Sequence, residues 1–303
     1  MRQVQEMVAN VNREIKRVIA LGFFDGAHIG HQALLKKMRS LCTGSDVACA
    51  YTFQNHPSSF FAPQQKQEYI CSFEEKIKLL KKYGADEIIS PVFDENIANI
   101  SADDFAHVLF AELSAKAVVV GKNYRFGKGA QGTPSLLQKL AEGYGAQVYI
   151  VDTVELCGGA VSSTRIRKAL AQGDVQLAGE MLARPFSISG TVAEGKKLGR
   201  TIGIPTANII SPDNRALPMD GVYAGRVFVG GEYRKAVVNI GKNPTVQGKM
   251  RTIESHMPYF CADIYGEQIT VEFLRKIRGE IKFDSVEKLK EQIQRDILEL
   301  EAE

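Results

Sequence analysis

The stretch Arg17-Val18-Ile19-Ala20-Leu21-Gly22-Phe23-Phe24-Asp25-Gly26-Ala27-His28-Ile29-Gly30-His31 passes from an apolar run into a glycine-spaced polar turn. Arg17 to Leu21 reads as a strand. Gly30 to Ser40 reads as a helix with Leu34, Leu35 and Met38 on one side. His28 and His31 stand three apart where strand end becomes helix, a spacing that puts both rings on one side. Backbone amides at a helix start welcome an anion. Imidazoles add donors that follow charge onto a transferring phosphoryl group. Gly26 and Gly30 permit close backbone approach. The blander alternatives are a histidine-bearing surface turn and a metal pair, for which no third ligand is evident in the sequence.

Outward from this stretch, short apolar runs alternate with helical patterns. Strands are expected at Val47 to Phe53, Glu87 to Ser90, Ala117 to Val120 and Gln147 to Val151. Helices are expected after Ser72, whose spacing to Glu75 is that of a capping box, after Ser101, after Thr133-Pro134 and after Ser162-Ser163. The alternation predicts a parallel sheet with helices on both faces. Ligands bind such sheets at the carboxyl ends of the strands, where Gly22 and Gly121 sit.

Near Leu182 to Pro185 the pattern changes. Phe186 to Val192, Gly221 to Val229, Tyr233 to Ile240, His256 to Ile264 and Gln268 to Leu274 read as strands without intervening helices. Asp284 to Leu300 reads as a helix, with Asp284 and Glu287 as a capping box and Val286, Leu289, Ile293, Ile297 and Leu300 on one side. A small barrel with one packed helix follows; a dimerising coiled coil is the alternative for the helix, but strict heptads are not sustained. With 303 residues the chain is long for one core. The expected domains are 1–182 and 183–303.

Composition narrows the class. The formal net charge of +3 leaves no nucleic-acid footprint. No run approaches a membrane span, and Met1 to Arg17 has no signal-peptide character. The five cysteines have no CxxC spacing and read as free thiols, so a cytoplasmic location is expected. Oligomeric state stays open between monomer and weak homo-oligomer. No Walker A loop and no complete dinucleotide glycine signature is present.

Phe24-Asp25-Gly26 with His28-Ile29-Gly30-His31 resembles the HxGH nucleotidyltransferase motif, and more narrowly the opening of the prokaryotic bifunctional riboflavin kinase/FAD synthetase family. Thr52-Phe53-Gln54-Asn55-His56-Pro57, Gly121-Lys122-Asn123-Tyr124-Arg125-Phe126-Gly127 and Ser162-Ser163-Thr164-Arg165-Ile166-Arg167 resemble its further segments. Gly203-Ile204-Pro205-Thr206-Ala207-Asn208 resembles the kinase motif, and the likeness runs on through Glu254-Ser255-His256 to Arg278-Gly279-Glu280 and Phe283. The segments cover nearly the whole chain in family order.

The resemblance implies a Rossmann-like adenylyltransferase domain followed by a riboflavin-kinase barrel, acting on riboflavin, FMN and ATP with Mg2+. It implies that His28 and His31 act on ATP phosphates, with Gly22, Phe23, Asp25, Gly30, Asn123, Arg125, Ser162, Ser163, Thr164 and Arg165 in the nucleotide site. It implies Glu254 as the kinase base and Thr206 and Asn208 as magnesium ligands, while Gly195, Lys197, Gly199 and Arg200, by their glycines and positive charges, are expected in a phosphate-side loop, a plain mobile hairpin being the blander reading. His56 and Arg278 are expected on the flavin side. Asn123 stands where the family often has aspartate, so a role there is expected to rest on hydrogen bonding and not on charge.

Overall fold

The computed structural model describes residues 12–62, 64, 67–194, 203–210, 214–242 and 251–301. They fall into two compact units, Met1–Ser162 and Ser163–Glu303.

The first unit is built on five parallel strands: β1 (Arg17–Leu21), β2 (Val47–Tyr51), β3 (Glu87–Ile89), β4 (Ala115–Gly121) and β5 (Gln147–Val151), in the order β3-β2-β1-β4-β5. Every residue of β1 is buried, because both sheet faces are covered. Ile19 and Leu21 pack on one side with Leu109, Leu113 and Leu137. Val18 and Ala20 pack on the other with Leu34, Leu35, Met38 and Leu80. The covering helices are α1 (Ile29–Leu41), α2 (Pro57–Phe61), α3 (Phe73–Lys82), α4 (Glu95–Ala98), α5 (Ala102–His107) and α6 (Pro134–Glu142). The expected caps form: Ser72 and Glu75 make a capping box, and Thr133 accepts the Leu136 N–H. Past His107, α5 widens into a π-helical turn, Val108–Glu112. Strand order reverses between β1 and β4, so their carboxyl ends open the crevice where such sheets bind ligands. A hairpin of β6 (Glu155–Leu156) and β7 (Gly159–Ala160) closes the unit.

The second unit starts with α7 (Ser163–Ala171) and α8 (Val175–Leu182). The expected boundary at 182/183 thus differs from the structural division by two helices. Asp174 caps α8 by accepting the Leu177 N–H, and α8 packs on barrel strands, which draws it into this unit. Six strands close an antiparallel barrel in the order β10-β11-β12-β9-β8-β13. They are β8 (Phe186–Ala193), β9 (Ala207–Ile210), β10 (Gly221–Val229), β11 (Glu232–Lys242), β12 (Arg251–His256) and β13 (Gln268–Arg278).

Two expectations are corrected here. The strand placed at His256 to Ile264 lies at Arg251–His256 instead. Pro258 has no N–H for a ladder, and Tyr259 takes a φ of 64°. The terminal helix α9 (Val286–Glu301) is capped by Ser285, whose hydroxyl accepts the Lys288 N–H, and not by Asp284. On α9, Ile297 and Leu300 pack against Val222, Ala224 and Val237, whereas Val286 is exposed.

Asp296 of α9 is 1% exposed. It accepts from Arg278 at the end of β13, at 2.7 Å from Nη2 and 3.0 Å from Nε, and from Gln292 at 2.9 Å. Removing one partner of a buried pair leaves the other charge uncompensated. Asp296→Ala is therefore expected to destabilise the second unit by about 3 kcal/mol. Urea denaturation reads this directly, and an unchanged midpoint would contradict the role given to the pair.

Candidate active sites

In the first unit the turn after β1 is strained and firmly held. Phe24, Gly26 and Ala27 have φ of 58°, 75° and 42°. Two of these are not glycine, a cost that persists only where the surroundings over-determine the backbone. Asp25 supplies that determination. Its buried Oδ1 accepts the N–H of Ile70 at 2.9 Å and of Cys71 at 3.3 Å, and the Gly26 N–H donates to Cys71 Sγ at 3.1 Å. The structure thus gives Asp25 a bracing role under the turn.

His28 is the N-cap of α1, and its Nδ1 accepts the His31 N–H at 3.3 Å. A ring nitrogen that accepts carries no proton, so neutral His28 holds its proton on Nε2. The two rings stack with centroids 3.6 Å apart and planes 16° apart. A Cβ at Gly30 would lie 3.2 Å from the His28 ring, so glycine leaves room for that stack. His31 Nδ1 is buried without a hydrogen-bond partner. Burial, then the charges of His28 and Lys76, hold the His31 pKa well below 6.5.

Beside this turn, Lys76 of α3 reaches the carboxyl ends of β1 and β2. Its ammonium donates to Phe53 O at 2.7 Å, Phe23 O at 3.3 Å and Thr52 Oγ1 at 3.4 Å. Desolvation lowers its pKa to about 8. His56 caps α2, its Nδ1 accepting the Ser58 N–H at 3.1 Å, and its ring meets Phe23 edge-on at 4.6 Å. A cavity of about 290 Å³ in this unit is lined by Phe53, Phe61, Phe93, Phe105, Tyr124 and Arg125, among others. It is an aromatic slot with one guanidinium, suited to a flat apolar ring that carries an anionic group. Asn123 and Arg125 are exposed just beyond β4.

The second unit holds a larger cavity, about 660 Å³, on the outer face of the barrel. Asn208 of β9, Glu254 of β12 and Asn239 of β11 sit opposite one another across three adjacent strands. Directly opposed side chains on one sheet face have Cβ atoms about 5 Å apart, so the register alone gathers a carboxylate and two amides. Asn208 Nδ2 leans toward Thr206, 3.4 Å from its carbonyl and 3.5 Å from its hydroxyl. His256 Nδ1 donates to Pro205 O at 2.8 Å, tying the strand of Glu254 to the loop of Thr206. Arg278, Phe283, Leu289 and Ile293 also line the cavity. A Cβ at Gly241 would lie 2.5 Å from Glu280 Oε1, so glycine admits that carboxylate against the strand.

Of the residues named from sequence, the structure brings Gly22, Phe23, Asp25, His28, Gly30 and His31 together on one turn, and Thr206, Glu254 and Arg278 around one cavity, with Asn208 opposite Glu254 on the neighbouring strand. Ser162 ends the first unit, and Ser163, Thr164 and Arg165 open α7 in the second. Gly195, Lys197, Gly199 and Arg200 lie outside the described residues. Lys76, Asn239, His256 and the aromatic slot were not expected. Asn239 and His256 stand in segments that resemble the family, but only strand register shows that Asn239 faces Glu254; Lys76 was findable only by noting a lysine on the inward side of an amphipathic helix. Among the described residues no group of three or more His, Cys, Asp or Glu is arranged to hold a metal ion, and no helix is long and apolar enough to cross a membrane.

Residues 11–165 match the family model described as FAD synthetase, and residues 182–302 match the one described as riboflavin kinase. The bifunctional riboflavin kinase/FMN adenylyltransferase of Haemophilus influenzae is 38% identical over 95% of this chain and 94% of its own length. That of Escherichia coli K12 is 38% identical, covering 93% of this chain and 90% of its own, and that of Bacillus subtilis is 34% identical, covering 93% and 91%. A Streptococcus pneumoniae crystal structure described as a macrolide-efflux protein superposes with a TM-score of 0.89 at 33% identity, covering 95% of each chain.

The depressed His31 pKa makes a stability prediction. Below 6.5 the unfolded chain binds a proton at this ring that the folded chain resists, so stability is lost as pH falls through the mid-6 range. The His31→Gln variant is expected to show a shallower acid loss. Denaturation of both proteins between about pH 7 and pH 5 checks this, and equal slopes would contradict it.

Proposed function

This chain belongs to the bifunctional riboflavin kinase/FMN adenylyltransferase family, and from that membership we propose how its two sites divide the work. It phosphorylates riboflavin to FMN with ATP in the barrel unit and adenylylates FMN to FAD, releasing pyrophosphate, at the sheet unit. The observation that carries the division is the Asn208–Glu254–Asn239 row, a carboxylate paired with amides on adjacent strands, of which Glu254 and Asn239 line a cavity wholly within the barrel unit.

In the kinase step the ribityl 5′-hydroxyl attacks the γ-phosphorus and must lose its proton. Glu254 is the base that takes it. The amide flanks hold the carboxylate and hydroxyl in line, which is most of what phosphoryl transfer asks of a protein. The apolar wall of Phe283, Leu289 and Ile293 accommodates the flavin ring. Thr206 Oγ1 and Asn208 Oδ1 are hard oxygen donors of the kind magnesium takes in small number alongside phosphate oxygens, and the lean of Asn208 Nδ2 toward Thr206 leaves its oxygen for such a cation. Bound there, Mg2+ would offset charge on the ATP phosphates. Gly195, Lys197, Gly199 and Arg200 keep the phosphate-side assignment that their glycines and positive charges suggest.

In the adenylyl step the nucleophile is the FMN phosphate, already anionic, so no strong base is required. His28 Nε2–H and His31 donate to the ATP phosphates as charge shifts toward the leaving pyrophosphate. His31 has little to lose by waiting: neutral and unpartnered in its buried position, it gains a partner when the anion arrives. Gly22, Phe23 and Gly30 shape the nucleotide turn, and Asp25 braces it. The aromatic slot takes the isoalloxazine, with Arg125 and Asn123 toward its phosphate. Ser162, Ser163, Thr164 and Arg165 carry the phosphate-binding role of their motif. His56 acts by ordering the turn at α2, and Arg278 by fixing the cavity wall on which the flavin lies.

Glu254→Gln is expected to lower FMN formation by about a hundredfold or more while FMN-to-FAD conversion persists. His31→Ala is expected to do the reverse. Chromatography of flavins after incubation with riboflavin or FMN, ATP and Mg2+ separates the two. Loss of both reactions from either folded variant would overturn this division of labour.

A further inference from the structure

Lys76 is 3% exposed, the one buried lysine among the described residues. Its three ammonium hydrogens have three oxygen acceptors: the carbonyls of Phe23 and Phe53 and the hydroxyl of Thr52. Thr52 Oγ1 in turn donates to Phe23 O at 2.9 Å. The Nζ atom also lies 4.0 Å from the centroid of the Phe23 ring. No carboxylate stands within ion-pair distance of it among the described residues; Asp25, whose charge is felt there, is spent on the amides of Ile70 and Cys71.

A buried cation with dipoles but no counter-ion is a costly element, and packing alone would be served as well by methionine. Its location gives it a purpose. The carbonyls it holds belong to the loops that end β1 and β2, and the first of those loops carries His28 and His31. We propose that Lys76 is a positioning residue for adenylyl transfer, which fixes the Phe23 and Phe53 carbonyls and keeps a positive charge behind the histidine pair, for which the phosphates of bound ATP are the counter-charge. This rests on the adenylyl site lying at the Gly22–His31 turn.

Two consequences follow. The Lys76 charge helps keep His31 neutral in the free enzyme, and an incoming polyanion reverses that field at both groups. The charge is also lost within a working pH range, since desolvation brings the lysine to about 8. The ionisable groups facing it are His31 and His28 from α1 and its cap, Asp25 from the turn, and Cys71 ahead of α3. Neutralisation of Lys76 above that pH removes the charge and loosens its hold on Phe23 O. ATP capture by free enzyme then weakens on the alkaline side.

The test uses the full-length protein and both reactions. In the wild type, kcat/KM for ATP in FMN adenylylation is expected to fall along an alkaline limb, while riboflavin phosphorylation shows no such limb. Lys76→Met is expected to lower that kcat/KM at neutral pH by tenfold or more, chiefly through KM for ATP, and to flatten the limb. Riboflavin phosphorylation by the same preparation should stay within twofold. Lys76→Arg, which keeps its charge at all these pH values, should retain more activity than the Met variant and move the limb upward. An alkaline limb unchanged in the Met or Arg variant, or a Met variant with wild-type KM for ATP, would overturn the proposal. Should the Met variant fail to fold, the wild-type profile against that of Lys76→Arg still decides. If Gly22–His31 were not the adenylyl site, His31→Ala would leave FAD formation intact, an outcome distinct from any of these.

Discussion

Asp25 accepts two backbone N–H groups across a sequence gap of 45 residues and more, and the geometry of the first unit turns on that contact. Without it, the chain leaving β1 would have to hold positive φ at Phe24 and Ala27 against ordinary steric preference. With it, the backbone reverses tightly enough for α1 to start at Ile29, over the carboxyl end of its own strand. His28 then falls at the N-cap, where its ring accepts from His31 and leaves a single proton outward on Nε2. One buried carboxylate thereby sets a backbone path, a tautomer and a ring stack.

The barrel reaches a comparable result by different means. No strained turn gathers Asn208, Glu254 and Asn239; antiparallel register does. Alternation along β12 sends Ile253 and Ser255 into the barrel and leaves Glu254 and His256 on the cavity side. A slip of one residue would bury the carboxylate and expose the core, so the hydrophobic interior that holds the barrel also holds Glu254 on the cavity side. The Arg278–Asp296 pair extends that logic to α9, whose apolar side forms one cavity wall.

How much of this was legible depends on how local each cause is. The βα alternation, the caps at Ser72 and Thr133, and the strand at Arg17 to Leu21 follow from side chains a few residues apart, and the sheet unit was readable for that reason. The strand at β9 is short and follows Pro205, so nothing periodic marks it. The segment after His256 looks apolar enough for a strand, yet Pro258 and the left-handed Tyr259 stop the ladder. Helix α8 was missed because its cap, Asp174, follows Gly173 so closely that the preceding helix masked it. In the sites, Glu254, Thr206, Asn208 and Asn239 all belong to family-like segments, but that Asn239 stands opposite Glu254 is visible only in the strand pairing. Asp25 was assigned to the ligand by its neighbours in sequence, but its partners, Ile70 and Cys71, are far along the chain.

The two sites also differ in where they place charge, and the chemistry explains why. In the proposed kinase step a hydroxyl nucleophile must be deprotonated, which suits a carboxylate set opposite amides on adjacent strands. In the proposed adenylyl step an anionic phosphate nucleophile needs no base but must approach another anion, which suits a histidine held neutral beside a buried ammonium, with Asp25 turned into backbone amides.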